Sequence, residues 1–305
     1  MNGAPGGRRY NRRKSMYKIL TENTCDLSLE WLRSHDVGLL YLSTIVGDTV
    51  YNAENPLDNK KFYQMLKEGA KPSTSQVNVD EAKKWFEEHI NETDQFLYIG
   101  FASGLSGTVN SVKVAVSEIL EKYPDKQIEI VDTQTASASE GLMVVRAVQM
   151  RDEGKSFEEV TAWVREYSPL ACTLFTVDDL MDLWRGGCVK KSSAIVGNLA
   201  GIKPILYLDD AGKIQTAEKI RGRKKALTTL VDYLEELGEP YKGENGKMLV
   251  IAHGDALEDA EFLRNEIETR LGYHNFMITN VGPIIGTHTG ASIIVLSCFG
   301  KARSR

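Results

Sequence analysis

The sequence predicts an α/β protein of two domains: a first, three-layer unit around a sheet of mostly parallel strands, and a second unit with a mixed sheet and helices. Three observations predict it. Short apolar runs alternate with amphipathic stretches through the first half, the signature of right-handed βαβ units and a parallel sheet covered on both faces. The pattern changes after Ser168-Pro169, and a hairpin turn signal, Asp209-Asp210-Ala211-Gly212, follows in the second half. The chain has 305 residues, 42% apolar and 26% charged, which is a globular composition and enough length for two domains of about 150 residues.

Residues 1–15 hold Arg8, Arg9, Arg12, Arg13 and Lys14 without an acid, and read as a disordered basic tail. The first domain spans 16–167. Residues 17–21 form its first strand. Thr24 to Asp26 resembles a loop with a helix cap, ahead of the apolar Leu27, Leu29, Trp31 and Leu32. Residues 37–46 read as one buried strand. A helix at about 58–67 precedes the polar loop 71–76. Residues 79–90 are amphipathic, with Ala82, Trp85, Phe86 and Ile90 on one face. Residues 96–101 are a continuous apolar strand; the loop 102–108 leads into a helix running to about Lys122. A strand at 128–132 and helices at 136–151 and 157–166 complete the domain.

The second domain spans 168–305. Residues 171–177 read as a strand, and 177–184 as a short helix stopped by Gly186-Gly187. Residues 192–199 look helical. Strands at 203–208 and 212–220 flank the hairpin turn. Helices at about 223–237 and 257–271 enclose a strand at 248–252, and strands at 275–279 and 292–298 close the chain. A mixed sheet with helices on one face suits this half.

Composition excludes several classes. The net charge is −5, and the basic tail leaves the body more acidic still, which argues against nucleic acid as partner. No apolar run reaches the ~18 residues of a membrane span. The basic start is followed by no long apolar stretch, so it is not a secretory signal, and a reducing cytoplasm is the expected home. Cys25, Cys172, Cys188 and Cys298 form no CxxC pair, and the five histidines lack ligand spacing, so neither a metal site nor a disulfide framework is expected. HExxH, GxxxxGK[ST], GxGxxG and GxSxG are all absent, and no cofactor is implied.

Four polar segments could carry chemistry. Ser103-Gly104-Leu105-Ser106-Gly107-Thr108 lies between a buried strand and a helix start, where free N–H groups and the positive helix end suit a carboxylate or single phosphate. Its plainer reading is a capping serine on a glycine-rich turn. Ser73-Thr74-Ser75-Gln76 offers three successive hydroxyls, or merely a solvated loop. Gly286-Thr287-His288-Thr289-Gly290 reads as a turn whose histidine donates to an anion, holds a proton or is structural. Ile220-Arg221-Gly222-Arg223-Lys224-Lys225 sets four cations against a helix start, so a carboxylate, a bound anion or an acidic partner should compensate, unless it is a solvated face. Asp178, Asp179 and Asp182 suit the first turn of a helix better than a pair of catalytic acids.

With these residues in hand, the chain resembles the DegV family of fatty-acid-binding proteins. The resemblance rests on TENTCDL (21–27), PSTSQ (72–76), SGLSGTVNS (103–111), DTQTAS (132–137), LWRGG (183–187), GIKPIL (201–206), RGRKKAL (221–227) and VGPIIGTHTG (281–290). It implies a two-domain α/β protein that buries one long-chain fatty acid between its domains. The carboxylate would be hydrogen-bonded by Thr74 and Ser106, with Ser75, Gly107, Thr108 and His288 completing the binding set. Arg221, Arg223 and His288 match residues linked to a partner or to phosphotransfer. The resemblance further implies a carrier without turnover of its own, presenting the acid to a separate ATP-dependent fatty acid kinase. Two departures stand out: Glu22-Asn23-Thr24 where relatives read DST, and Cys188 where many carry Arg after the two glycines. The competing reading is a serine hydrolase on acyl esters, with Ser106 as nucleophile and His288 as base. A third reading sets the Arg221–Lys225 face against an acidic protein or membrane surface.

Overall fold

A computed structural model describes residues 17–189, 201–238 and 248–303. The first half contains, in order, β1 (Lys18–Glu22), α1 (Leu29–Ser34), β2 (Val37–Leu40), β3 (Ser43–Val46), β4 (Thr49–Tyr51), α2 (Asn59–Lys67), β5 (Ser73–Ser75), α3 (Val79–His89), β6 (Gln95–Gly100), α4 (Thr108–Lys122), β7 (Gln127–Asp132), α5 (Ala138–Asp152) and α6 (Phe157–Tyr167). Four of the strands form a sheet in the order β2-β1-β6-β7, every neighbouring pair parallel. Parallel strands need crossovers, and the helices that make them cover both faces. Phe86, Val112 and Ile119 of α3 and α4 pack on Leu20, Phe96 and Tyr98. Leu142 and Val160 of α5 and α6 pack on Ile19, Leu97 and Ile99.

Three expectations for this half are corrected. Residues 37–46 are not one strand but two, because Asn23 intervenes: its Nδ2 donates to the Leu42 carbonyl at 3.0 Å and its Oδ1 accepts from the Leu42 N–H at 2.9 Å. β3 therefore leaves the parallel sheet and joins a separate antiparallel sheet, β4-β3-β5. The supposed loop 71–76 contains β5, the third strand of that sheet. The cap of α1 is Ser28, whose side chain accepts from the Trp31 N–H, rather than a residue in 24–26.

The second half contributes β8 (Ala171–Thr176), α7 (Met181–Arg185), β9 (Ile202–Leu208), β10 (Ile214–Arg221), α8 (Arg223–Leu237), β11 (Met248–His253), α9 (Leu257–Leu271), β12 (Asn275–Asn280), α10 (Pro283–Thr289) and β13 (Ile294–Phe299). Its six-stranded sheet runs β10-β9-β8-β13-β11-β12, antiparallel except for β11–β12. The short helix expected from 177 begins at Met181. The turn expected at 286–290 is instead the end of α10, which starts on Pro283, a residue suited to a first helical position. The helix expected at 192–199 and the basic tail 1–15 lie outside the described residues.

α8 and α9 cover one face of this sheet, through Leu227, Leu230, Leu263 and Ile267 against Leu174 and Leu296. The other face is covered from the first half. Phe175, Val250 and Val295 belong to the same core as Ile19, Leu97 and Leu142, with α5 between the two sheets. Eleven of the fifteen residues of α5 are buried, as a helix enclosed on both sides requires.

This arrangement makes α5 common to both cores. Leu142→Ala is expected to lower the unfolding free energy by about 2–5 kcal/mol. Both halves should still unfold in one transition, followed by tryptophan fluorescence and circular dichroism in urea. Two separated transitions would contradict the shared core.

Candidate functional site

A cavity of about 340 Å³ lies between the two halves. That is within the ~300–1,000 Å³ of small-molecule sites. Leu42, Thr74, Gln76, Phe101, Leu105, Ser106, Gly107, Ala136 and Ser137 line it from the first half. Thr173, Phe175, Leu183, Gly186, Cys188, Leu208, Ile214, Ile284, Ile285, His288 and Thr289 of α10, Ile293 and Val295 line it from the second. No lining residue among those described carries a carboxylate, an ammonium or a guanidinium.

The lining changes character with depth. Thr74, Ser106 and His288 are half-buried and Gln76 is exposed, so this end forms a polar mouth. Phe175 and Val295 on the central strands and Ile293 just before β13 are at most 4% exposed, so the far end is an apolar floor. Phe101, Ala136 and Leu208 add a small apolar cluster with Leu105 and Ile285 on its side.

Local structure sets each polar side chain. β5 pairs with β3, Thr44 opposite Thr74, and the pleat turns Thr74 inward while Ser73 and Ser75 are exposed. Thr74 Oγ1 and His288 Nε2 share a hydrogen bond at 2.9 Å, joining β5 to α10. Burial lowers the His288 pKa, so its ring is neutral at pH 7. Its Nδ1 is buried without a hydrogen-bond partner among the described residues. Gly186 lies so close to this ring that any Cβ there would collide with Nδ1.

Ser106 stands just before α4. Its Oγ accepts from the Thr108 N–H at 3.2 Å and shares a hydrogen bond with Thr108 Oγ1 at 3.0 Å. Thr108 Oγ1 also accepts from the Val77 N–H at 3.3 Å, tying α4 to the chain after β5. Gly107 lies against the Gln76 carboxamide.

Of the residues singled out from sequence, Thr74, Ser106, Gly107 and His288 share this cavity, whereas Ser75 and Thr108 do not line it. Gly104 does not make room for a ligand: the space a Cβ would take there is occupied by Ala211 and Gly212 of the hairpin tip. Arg221 is exposed at the end of β10. Arg223 is committed internally, with Nε on Asp259 at 2.8 Å, NH2 on the Ser292 carbonyl at 2.5 Å and NH1 3.6 Å from Asp178. Ser106 and His288 do not meet as a nucleophile and base, since His288 pairs with Thr74 and Ser106 with Thr108. Cys188 lines the cavity, and burial pushes its thiol up to about 11. No metal-ligating cluster occurs among the described residues. No described helix is long and apolar enough to cross a membrane. Gln76 and Thr289 lie in two of the singled-out segments, although neither was named as a site residue; the apolar lining was missed, because single residues from distant segments leave no local signature.

Beneath the cavity lies a group of buried acids that sequence reasoning also missed. Glu140 of α5 accepts from Thr21 Oγ1 at 2.8 Å and Thr24 Oγ1 at 2.9 Å. Asp26 accepts from Ser137 Oγ at 2.5 Å and from the Gly282 N–H at 2.8 Å. Those two partners start α5 and α10, so one carboxyl ties both helices to the β1–α1 loop.

The family model described as uncharacterised protein, DegV family, matches residues 16–301. A DegV domain-containing protein of Clostridium perfringens is 39% identical over 289 residues, covering 94% of this chain and 98% of that protein. A solved structure described as fatty acid binding of a DegV family protein from Thermus thermophilus is similar with a TM-score of 0.82 at 26% identity, covering 93% of this chain and 99% of that one. So is a structure described as a fatty acid (stearic acid)-binding protein from Eubacterium ventriosum, with a TM-score of 0.82, 26% identity and coverage of 94% and 99%.

The Asp26 carboxyl has a measurable consequence. Burial raises its pKa from 3.8 to about 7, against the lowering effect of its bonds from Ser137 and Gly282. A carboxyl raised on folding holds a proton in the native chain that the unfolded chain has released. Its contribution is therefore full below pH 3.8 and is lost as pH climbs through about 7. Asp26→Asn cannot ionise, so the stability of wild type relative to this variant should fall by about 2–4 kcal/mol between pH 4 and 8. Urea titrations of both proteins across that range check it, and parallel profiles would contradict the assignment.

Proposed function

This chain belongs to the DegV family, and we propose that it binds one long-chain fatty acid in the cavity between residues 16–167 and residues 168–305. The carboxylate is held by Thr74 and Ser106. The observation that carries the reading is the composition of one cavity, with a mouth of neutral hydroxyls, a buried apolar floor and no charge among its described lining. The Thermus thermophilus and Eubacterium ventriosum proteins, described as fatty-acid binding, support it.

The physical chemistry suits such a ligand. Each buried methylene contributes about 0.8 kcal/mol, so an apolar floor alone provides large affinity. The head must be hydrogen-bonded, because an unpaired carboxylate in a dry site is costly. Thr74 and Ser106 donate O–H groups, and the start of α4 adds the positive end of a fifteen-residue helix. His288 orients the Thr74 hydroxyl, and Thr108 and Gly107 fix the Ser106 loop. Ser75, exposed on the outer face of β5, takes no part.

We read the protein as a cytoplasmic carrier without turnover of its own. The half-buried mouth leaves the acyl head near solvent, as presentation to a separate ATP-dependent acyl kinase requires. Of the two arginines, the exposed Arg221 is our candidate for meeting such a partner, since Arg223 is paired internally. A hydrolase would need Ser106 and His288 in contact, and each is bonded elsewhere.

Mass spectrometry of organic extracts from the purified protein should recover a long-chain fatty acid. Thr74→Ala and Ser106→Ala should each weaken binding of added oleate by about 1–3 kcal/mol, the loss of a bond to a charged group. An empty extract and no binding of added oleate would sink the reading. Wild-type affinity in the double variant would sink the assignment of the two hydroxyls.

A further inference from the structure

We propose that Cys172 and Cys298 form a redox site, a pair of thiols that a hydroperoxide closes into a disulfide across the two central strands of the six-stranded sheet. Neither residue lines the cavity. Cys172 on β8 and Cys298 on β13 are direct partners in the antiparallel ladder. Both belong to the core under α8 and α9, so their side chains leave the sheet on one face, and both are free thiols. A hydrogen bond with the neighbouring Cys172 thiol, then burial, raise the Cys298 pKa, so the two sulfurs are in contact and protonated at rest. The Gly300 N–H donates to the Leu170 carbonyl at 2.8 Å, and this pair continues the same register two positions on. Hydrogen-bonded pairs recur at every second position of such a ladder, so Cys172 and Cys298 form another, with Cα atoms about 5.5 Å apart. That lies within the ~4.4–6.8 Å that a disulfide spans, but cross-strand Cβ atoms stand wider than the ~3.8 Å of a relaxed bridge. The bridge therefore closes under strain, and strained bridges are the easily reduced ones. The dithiol is the resting form.

The chain end covers this pair. Cys172 Sγ donates to the Ala302 carbonyl at 3.0 Å. Gly300 packs so close to Cys172 Sγ that a Cβ there would collide with it, and the Lys301 N–H donates to the Leu237 carbonyl at 2.9 Å. Cys172 is fully buried, yet Lys301 and Ala302 above it are exposed, so a short opening of the chain end admits a small oxidant. Arg303 holds that end down through the carbonyls of Thr133, Gln134 and Ser168. Oxidation by hydrogen peroxide takes two steps. The Cys172 sulfur attacks one peroxide oxygen, the O–O bond breaks, and the expelled hydroxide leaves as water with the thiol proton. The Cys298 sulfur then displaces the sulfenic hydroxyl, which leaves as water with the Cys298 proton, and the Sγ–Sγ bond forms. The two sulfurs give up two electrons, and the peroxide accepts them. Cys172 then has no S–H, so the Ala302 carbonyl loses its donor and the chain end loosens.

The test treats the reduced, folded protein with graded hydrogen peroxide, alkylates the remaining thiols and maps the peptides by mass spectrometry. A Cys172–Cys298 link within one chain should appear while circular dichroism still reports the native fold, and dithiothreitol should reverse it. Hydrogen exchange at the Gly300 and Lys301 amides should then run about tenfold faster than in the reduced protein, the equivalent of one lost hydrogen bond. In Cys298→Ala the Cys172 thiol has no partner, so it should stop at the sulfenic acid or advance to the sulfinic acid without a link. Absence of the link until the native dichroism is lost overturns the proposal, and wild type alone decides this whether or not the variant folds. Cys172 joined to Cys25 or Cys188 instead also overturns it. So does a Cys172–Cys298 link that leaves exchange at Gly300 and Lys301 unchanged.

Discussion

A helix that buries eleven of its fifteen residues has no face to offer water, and α5 needs apolar surface on both sides. The four-stranded and six-stranded sheets supply it, and in doing so they are held about one helix diameter apart, roughly 10 Å. Past the start of α5, at Ala136 and Ser137, that gap must be closed by other means. The loop after β6, α10 and the β9–β10 hairpin close it only in part, and the cavity is the space left over. The ends of this arrangement are pinned by buried polar groups. Glu140 takes two threonine hydroxyls, Asp26 ties α5 to α10, and Arg303 reaches back to the carbonyls of Thr133, Gln134 and Ser168. Two of the motifs that carry the family resemblance, TENTCDL and DTQTAS, largely serve this framework.

The same geometry explains why the mouth is neutral. A fixed cation beside an apolar tunnel would have to be desolvated whenever the tunnel is empty, a cost that hydroxyls avoid because they are only weakly penalised. Thr74 and Ser106 are held ready by bonds that do not consume their capacity: Thr74 shares one with a neutral imidazole, and Ser106 oxygen accepts from the Thr108 N–H. Each hydroxyl retains lone pairs or a proton for a ligand. On the proposed reading, neutral donors at a helix start would do the work of a buried salt bridge without a fixed buried charge.

Much of this fold is legible in the sequence where one physical signal decides. A continuous apolar run marks β6, and 3.6-residue periodicity marks α3 and α4. The failures share a cause, which is long-range contact. The split between β2 and β3 depends on the Asn23 side chain, nineteen positions from Leu42. β5 is a strand because β3 lies beside it, although its own residues are Ser, Thr and Ser. Residues 283–289 are helical although glycine and threonine abound there, because Gly282 is held by Asp26 and the helix is packed against its neighbours. The cavity gathers residues from at least six segments, and only the hydroxyl clusters and His288 carry enough local signal to be noticed. Arg303 gives no signal at all: its burial exists only once three separate carbonyls converge.

Position 188 separates holding an acid from passing it on. The resemblance of LWRGG to its relatives places an arginine one residue later in many of them, and here that place is Cys188, which lines the cavity. Its thiol, raised to about 11 by burial, is neutral at pH 7 and supplies neither a cation nor a ready nucleophile. On the proposed reading, holding a carboxylate does not need it, since Thr74, Ser106 and the start of α4 would meet the head. Transfer of a phosphoryl group accumulates negative charge at the same head, and neutral hydroxyls stabilise that charge poorly compared with a guanidinium. The proposed binding of an acid therefore rests on residues that line the cavity. The positive charge that a transfer step would require has to come from beyond the described lining of the cavity.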